Sequence, residues 1–168
     1  QSELLHSDAS LKPLGTIPIP AGVLGTMATD GTSIWAITTR AAGTAAHVIK
    51  VDTGTGHVVL DAPLPGTRIP DGPAPPAVVA ITGNDVWLTV ADGPTAISHF
   101  KADGTFVGTI QLASAVNHMV AVEGHLYALT STGDVLSINT TTKVITTLAR
   151  IPAPTIYNGA LAAQGKDL

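Results

Sequence analysis

Acidic and histidine side chains are the residues of this sequence best suited to catalytic or metal chemistry, and their spacing argues against both. Five aspartates lie in or beside glycine-containing turns, where an aspartate side chain commonly hydrogen-bonds its local backbone: Asp30, Asp52, Asp85, Asp103 and Asp134. The two glutamates are Glu3, in a polar N-terminal stretch, and Glu123, in a turn. These positions form no spaced carboxylate pair suited to glycoside hydrolysis, so we assign no catalytic residue.

The six histidines do not share one predicted location. A metal site needs at least three ligands that converge. In the strand pattern His118 begins an inner strand, whereas His47, His57 and His99 fall in the outer half of their sheets. Serine-nucleophile, Walker and dinucleotide-binding motifs do not occur in the sequence. We therefore expect no metal and no cofactor, and the balance leans against an enzyme while leaving that question open.

A unit of apolar strand, tight glycine turn and aromatic-bearing strand recurs along the chain and must position these side chains. It occupies residues 28–38, 81–90 and 122–130, and a fourth copy begins over residues 161–168. The aromatic residues are Trp35, Trp87 and Tyr127, which are 52 and 40 residues apart. Units of about 40–50 residues with several strands each are typical of β-propeller blades. We therefore expect the three aromatic side chains to pack between blades.

We predict an all-β fold, namely a partial β-propeller of three four-stranded blades with essentially no helix. No segment shows a 3.6-residue periodicity over a helical length. Both faces of the strand at residues 86–90 are largely apolar, as stacking between blades requires. The partial propeller is predicted over residues 14–168, after an N-terminal arm over residues 1–13. Its blades are residues 21–64, 77–112 and 117–150, and its orphan strands are residues 14–20 and 158–168.

The segment at residues 48–59 resembles the third strand, glycine hairpin and fourth strand of YVTN/NHL-like propeller repeats. Residues 135–145 repeat that pattern with Asn139 in place of the usual acid. The resemblance covers roughly residues 14–168 and implies an architecture, because the family spans cell-surface, scaffold and lyase proteins. Closed propellers have four to eight blades, so we expect the remaining blades to come from other polypeptide or from a second copy.

Composition limits the partners of this chain. The formal net charge is −4 and only eight lysines and arginines occur, so the basic stripe that binds nucleic acid is missing. No apolar run approaches the roughly 20 residues of a membrane-spanning helix, and the absence of cysteine excludes disulfides and thiolate metal sites. Charged residues make up only 12%. This composition and the start at Gln1 favour an exported protein, either secreted or at the cell surface.

Loops that enter the innermost strands, together with loops between second and third strands, would surround the mouth of a propeller channel. The candidate ligand-binding residues on this rim are Arg40, Arg68, Asp71, Asn117, His118, Tyr157 and Asn158. Aromatic, amide and charged groups in such a ring can orient a polar ligand, a glycan or a peptide.

The function predicted from the sequence is non-catalytic binding or structural assembly at the cell surface, with a protein as partner. Two alternatives stay open. One is part of a propeller lyase or lactonase whose catalytic residues lie in missing blades. The other is a filament or surface-layer subunit that self-associates, in which terminal strands join neighbouring copies by β-augmentation.

Overall fold

The fold consists of short antiparallel strands, as a computed structural model of the chain shows. The structure describes residues 2–7, 13–19, 22–39, 44–65, 67, 77–90, 95–152 and 161. These residues form fourteen strands and no helix, and so no helix among them is long and apolar enough to cross a membrane. The strands are β1 (Ser2–Ser7), β2 (Pro13–Ile19), β3 (Gly22–Thr29), β4 (Ser33–Thr39), β5 (His47–Asp52), β6 (Val58–Pro63), β7 (Ala77–Thr82), β8 (Asp85–Val90), β9 (Ala96–Lys101), β10 (Phe106–Gln111), β11 (Val116–Val122), β12 (His125–Thr130), β13 (Asp134–Asn139) and β14 (Ile145–Arg150).

Twelve of these strands form three four-stranded sheets in which each strand pairs antiparallel with the next one along the chain. The first sheet is β3–β6, the second is β7–β10 and the third is β11–β14. Glycines with positive φ close several of the tight turns between strands, because only glycine adopts that conformation without steric cost. The three sheets span residues 22–63, 77–111 and 116–150.

The sheets stack face to face with their innermost strands side by side. The innermost strand of the second sheet, β7, contacts β3 on one side and β11 on the other. The Thr26 hydroxyl links two of these strands, because it donates to the Ala77 carbonyl at 3.4 Å and accepts from the Val79 N–H at 3.1 Å. Adjacent inner strands with outer strands further apart give the radial arrangement of propeller blades.

Two apolar interfaces join the three sheets, and β8 contributes to both. Val86 and Leu88 face the first sheet, and Trp87 between them faces the third. This alternation follows from the two-residue period of a strand, and it explains why both residue sets of β8 are apolar. We call the contact between first and second sheets the first interface, and the contact between second and third sheets the second interface.

The N-terminal region differs from the prediction. We expected a loose arm over residues 1–13 and an orphan strand over residues 14–20, but Ser2–Ser7 pairs with Pro13–Ile19 in an antiparallel hairpin. The sequence Ser-Glu-Leu-Leu-His-Ser lacks the apolar alternation that identifies a strand, so its pairing could not be predicted. Ile17 of β2 is 5% exposed and packs on the outward face of the first sheet.

The predicted inner strand at residues 158–168 falls almost entirely outside the described residues. Leu161 is described, and it packs against Leu129 and Val135 of the third sheet. It therefore lies on the face of the third sheet that is turned away from the second sheet.

Candidate functional site

Strand register places the three repeat aromatics at the same position of successive sheets. Each aromatic lies on the second strand of its sheet and has one directly opposite residue on the third strand. The pairs are Trp35 with Lys50, Trp87 with His99, and Tyr127 with Ser137. Directly opposite residues in an antiparallel pair share one face of the sheet. Differences in their surroundings therefore come from what packs on that face.

Trp35 lies in the first interface and is 0% exposed. The Lys50 Nζ is 5.3 Å from the centre of its ring and donates to the Ala102 carbonyl at 2.6 Å. Ala102 belongs to the turn between β9 and β10, so the outer turn of the second sheet covers the first. Gly104 in this turn has φ +92°, and a Cβ added there would lie 3.0 Å from Leu60 of β6.

Trp87 occupies the same position in the second interface, is also 0% exposed and has a more polar environment. The His99 imidazole stacks on it, with 3.9 Å between ring centres and 11° between planes. His99 Nε2 lies 2.6 Å from Asp85 Oδ1, and the Lys101 ammonium lies 2.7 Å from the same oxygen. Lys143, in the outer turn of the third sheet, places its Nζ 4.5 Å from the centre of the Trp87 ring.

The charges at the second interface follow from burial and hydrogen bonding. Burial opposes ionisation of Asp85, but hydrogen bonds from Lys101 and His99 outweigh it and lower the pKa of this carboxyl. Burial lowers the pKa of His99 despite the nearby Asp85, and burial also lowers the pKa of Lys143. A neutral imidazole must carry its proton on Nε2 here, because a carboxylate can only accept a hydrogen bond.

Two buried nitrogens of the second interface have no hydrogen-bond partner among the described residues: Trp87 Nε1 and His99 Nδ1. The indole and imidazole rings are enclosed between sheets, and this enclosure suits packing rather than contact with a substrate. The aromatic cluster therefore holds neighbouring sheets together.

The third aromatic differs, because Tyr127 is only partly buried. His118 pairs with Leu129 on the same side of the third sheet, and the His125 ring lies 6.2 Å from the Tyr127 ring. We call this side the open face. Its residues are His118, Val120, His125, Tyr127, Leu129, Val135 and Ser137. Leu161 covers part of it at Leu129 and Val135, while the outer strand β14 is exposed along its whole length.

Two of the seven predicted rim residues fall within the described part of the chain. Asn117 and His118 lie in β11, where the register shifts between Val116 and His118. The other five, Arg40, Arg68, Asp71, Tyr157 and Asn158, lie outside the described residues. The structure brings His118 to the same face as Tyr127, and the ligand-binding role of the rim stays a prediction.

A hydroxyl cluster on the rim was missed from the sequence. The Thr132 hydroxyl lies 3.0 Å from Thr130 Oγ1, 3.2 Å from Ser114 Oγ and 3.0 Å from Asp134 Oδ2. Arg150 Nε is 3.3 Å from the other Asp134 oxygen. A cavity of about 230 Å³ lies beside it, lined by Gln111, Leu112, Ala113, Ser114, Thr130, Asp134, Leu136, Ile145 and Thr147. The run Thr130–Asp134 was a signal for a polar turn, and its groups satisfy one another.

Within the described ranges, no three histidine, aspartate or glutamate side chains come together as metal ligands would. Several aspartate side chains instead accept hydrogen bonds from backbone N–H groups of the turns in which they lie. Asp30 accepts from the Thr32 and Ser33 N–H groups at 2.9 and 2.7 Å, and Asp52 accepts from the Thr55 N–H at 2.7 Å. Such hydrogen bonds fix turns in place.

The fold is similar to solved β-propeller structures. The crystal structure of RRP9 WD40 repeats aligns with a TM-score of 0.59 and 13% identity, over 77% of this chain and 38% of that one. The Neurospora crassa Pan2 WD40 domain aligns with a TM-score of 0.60 and 12% identity, over 80% and 39%. BBS1N in complex with ARL6DN aligns with a TM-score of 0.57 and 13% identity, over 91% and 48%.

These alignments and the three stacked sheets confirm the predicted fold class, a partial β-propeller that is all-β throughout its described part. The chain spans less than half the length of each of the three similar structures. No protein-family model and no curated protein sequence matches it.

Proposed function

We propose that this chain is a non-catalytic binding and structural-assembly module, and that the open face of its third sheet packs against another sheet. One observation carries the proposal. Trp35 and Trp87 are 0% exposed between sheets, whereas Tyr127 at the equivalent position is only partly buried. The repeat thus presents at its third sheet the same surface that the first and second sheets use to bind a neighbour.

The composition of the open face supports a protein partner. Tyrosine, histidine and leucine side chains supply apolar area with a few polar ends, and aromatic residues are enriched where proteins bind proteins. Beside this face, Leu148 of the outer strand β14 is 51% exposed, and Val144, which directly precedes this strand, is 60% exposed. Contiguous exposed apolar surface commonly marks an interaction site. BBS1N with ARL6DN shows that a similar fold can occur in a protein complex.

The partner that we propose for the open face is a second copy of this chain. Its sheets are of the type that already packs on the equivalent faces of the first and second sheets. Such packing buries an aromatic residue and the facing aliphatic side chains, and burying apolar area stabilises association by about 25 cal/mol per Å² before the costs of binding.

The proposal also includes a YVTN/NHL-like affiliation, a secreted or cell-surface location and a polar ligand or glycan at the seven rim residues. The affiliation is supported by the strand and hairpin pattern at residues 48–59. The location is supported by the low charged fraction of 12%. The rim is supported by the position of loops in propellers, where convergent polar groups at the channel mouth can hold a ligand.

Sedimentation equilibrium of the purified chain at about 1 to 100 µM tests the assembly directly. We expect self-association of the wild type and a loss of about tenfold or more in affinity for Tyr127→Lys, because a lysine on the open face would have to be buried on association. Val59→Lys is the matched control, since Val59 is 57% exposed on the outer strand of the first sheet. It should associate as the wild type does.

Two results would contradict the proposed function. One is a wild type that stays a 17.0 kDa monomer across the whole concentration range. The other is a Tyr127→Lys variant that retains the wild-type circular dichroism spectrum and still associates as strongly as the wild type.

A further inference from the structure

The N-terminal hairpin occupies the place of the outer half of a blade. The turn between β5 and β6 packs on it, because a Cβ added at Gly56 would lie 3.6 Å from Ile17 of β2. The turn between β9 and β10 packs in the same way on β6, where Gly104 meets Leu60. Therefore β2 is positioned relative to the first sheet as β6 is relative to the second.

The strand β1 continues this correspondence. It pairs antiparallel with β2 over Ser2–Ser7, as β5 pairs with β6 in the first sheet. In the full sheets, the third strand also pairs with a second strand on its inner side. Among the described residues, the sheet that contains β1 has only two strands, in the order β1–β2. The inner edge of β1 is therefore free of a described partner strand.

The exposure of Met27 indicates that the inner half of the blade position occupied by β1 and β2 is uncovered. On the second strand of each sheet, the residue that follows the repeat aromatic pairs with a residue of the innermost strand. That innermost-strand residue faces the preceding sheet. The pairs are Met27 with Ala36, Val79 with Leu88, and Met119 with Ala128. Val79 and Met119 are both 6% exposed, whereas Met27 is 49% exposed. In the second and third sheets the preceding inner strand covers this position, and no inner strand among the described residues covers Met27 in the same way.

We infer that the free edge of β1 and the exposed Met27 together form a docking site for a two-stranded β-hairpin supplied by another polypeptide. The hairpin has the form of the chain's own inner strands: an apolar strand, a tight glycine turn and a strand with an aromatic residue. Its second strand pairs with the edge of β1, and its first covers Met27. The site continues the interface that Ile17 already makes with Ala36, Ile49 and Val51.

Both parts of the site suit such a hairpin. An unpaired strand edge offers a row of N–H and C=O groups that an incoming strand can satisfy by β-augmentation. An apolar inner-strand residue beside that edge supplies the buried contact that selects a hairpin over a single extended peptide. The inference deepens the proposed assembly function and rests on it, but it concerns the opposite end of the chain from Tyr127.

A peptide of residues 77–90, with added lysines at both ends for solubility, is the probe. It has the required form, with Trp87 in its second strand, and it contains no methionine. The protein has only Met27 and Met119, so oxidation by hydrogen peroxide reports on both with an internal control. The experiment uses the Tyr127→Lys variant, which keeps the peptide away from the open face.

We expect Met27 to oxidise faster than Met119 without peptide, because it is more exposed. Peptide at about ten times its dissociation constant should slow Met27 oxidation about tenfold, since only the unbound fraction remains reactive. The rate for Met119 should not change. A peptide with N-methylated amides on the pairing edge of its second strand, or with Trp87→Ser, should bind at least about tenfold more weakly.

Unchanged Met27 oxidation at saturating peptide overturns the inference, and so does protection that survives N-methylation. Its failure is distinguishable from failure of the proposed function. Self-association is measured through Tyr127 and Val59 variants in the absence of peptide, whereas peptide protection is measured in a variant that cannot use the open face.

Discussion

The two internal interfaces and the open face of the third sheet differ at one equivalent position. Trp35 and Trp87 are completely buried by the following sheet, whereas Tyr127 is partly exposed. A tyrosine suits a partly buried position, because its ring provides apolar contact and its hydroxyl can stay hydrated. The aromatic residue of each internal interface is therefore covered by the face and the outer turn of the neighbouring sheet.

The outer turn of each following sheet contributes directly to this covering. The turn that contains Ala102 and Gly104 covers the Trp35 position, and the turn that ends at Lys143 covers Trp87. Residue types opposite the aromatics also change from Lys50 to His99. The two interfaces therefore share geometry but differ in charge, and each difference can be tested separately.

The largest expected effect comes from the buried aromatics. Trp35→Ala and Trp87→Ala should each lower the free energy of unfolding by about 3 to 5 kcal/mol, because each leaves a large cavity between sheets. Tyr127→Ala should cost only about 1 kcal/mol, since less of its surface is buried. Urea unfolding followed by circular dichroism measures all three. A loss for Tyr127→Ala as large as those of the tryptophan variants would remove the difference between internal and open faces.

The next effect concerns the outer turn of the second sheet. Gly104→Ala and Gly31→Ala introduce a side chain at nearly the same positive φ, +92° and +90°, but only Gly104 has a neighbour within 4 Å, namely Leu60. Both should lose about 1 to 2 kcal/mol of stability through backbone strain, and Gly104→Ala should lose more. In a Leu60→Ala background the two substitutions should cost the same. An equal loss of stability for the two variants in the wild-type background would mean that a side chain at position 104 does not clash with Leu60 of the first sheet.

A smaller predicted effect is that the stability of the second interface, unlike that of the first, depends on pH through His99. The pKa of His99 is lowered from its ordinary 6.5 by burial, so the unfolded chain takes up this proton before the folded chain does. The stability contributed by neutral His99 is complete above about pH 6.5 and is lost as pH falls toward the folded-state pKa. The lowered pKa of Asp85 acts in the same direction, but only below its ordinary 3.8.

His99→Phe keeps a ring on Trp87 and removes the titrating group. Between about pH 7.5 and pH 5, the wild type should therefore lose more stability than His99→Phe. Urea unfolding at several pH values measures the difference. Parallel curves for the two proteins would show that the second interface does not sense protonation of His99.

The sheets could be predicted from sequence because glycine turns and apolar alternation are local signals. Three repeats of the same pattern also reinforced one another, and they predicted three four-stranded sheets. β1 could not be predicted, because its order depends on pairing with β2 rather than on an apolar pattern of its own. Only the structure shows that a hairpin, not a single strand, precedes the first sheet.

The candidate site was less predictable. Packing between blades was the expected role of Tyr127, but sequence equivalence with Trp35 and Trp87 cannot show whether a neighbouring sheet is present. The contact of Lys143 with Trp87 depends on a turn in which Lys143 has a φ of 62°. Met27 carried no signal, because its exposure depends on what precedes the first sheet.

The central claim is tested most directly by a third tryptophan at the open position. In Tyr127→Trp, emission and acrylamide quenching at a concentration where the protein is monomeric compare this position with Trp35 and Trp87. We predict that the two native tryptophans are blue-shifted and shielded, and that the new one emits at longer wavelength, is readily quenched and becomes shielded when the protein self-associates. A new tryptophan as shielded as the native pair in the monomer would contradict the open face.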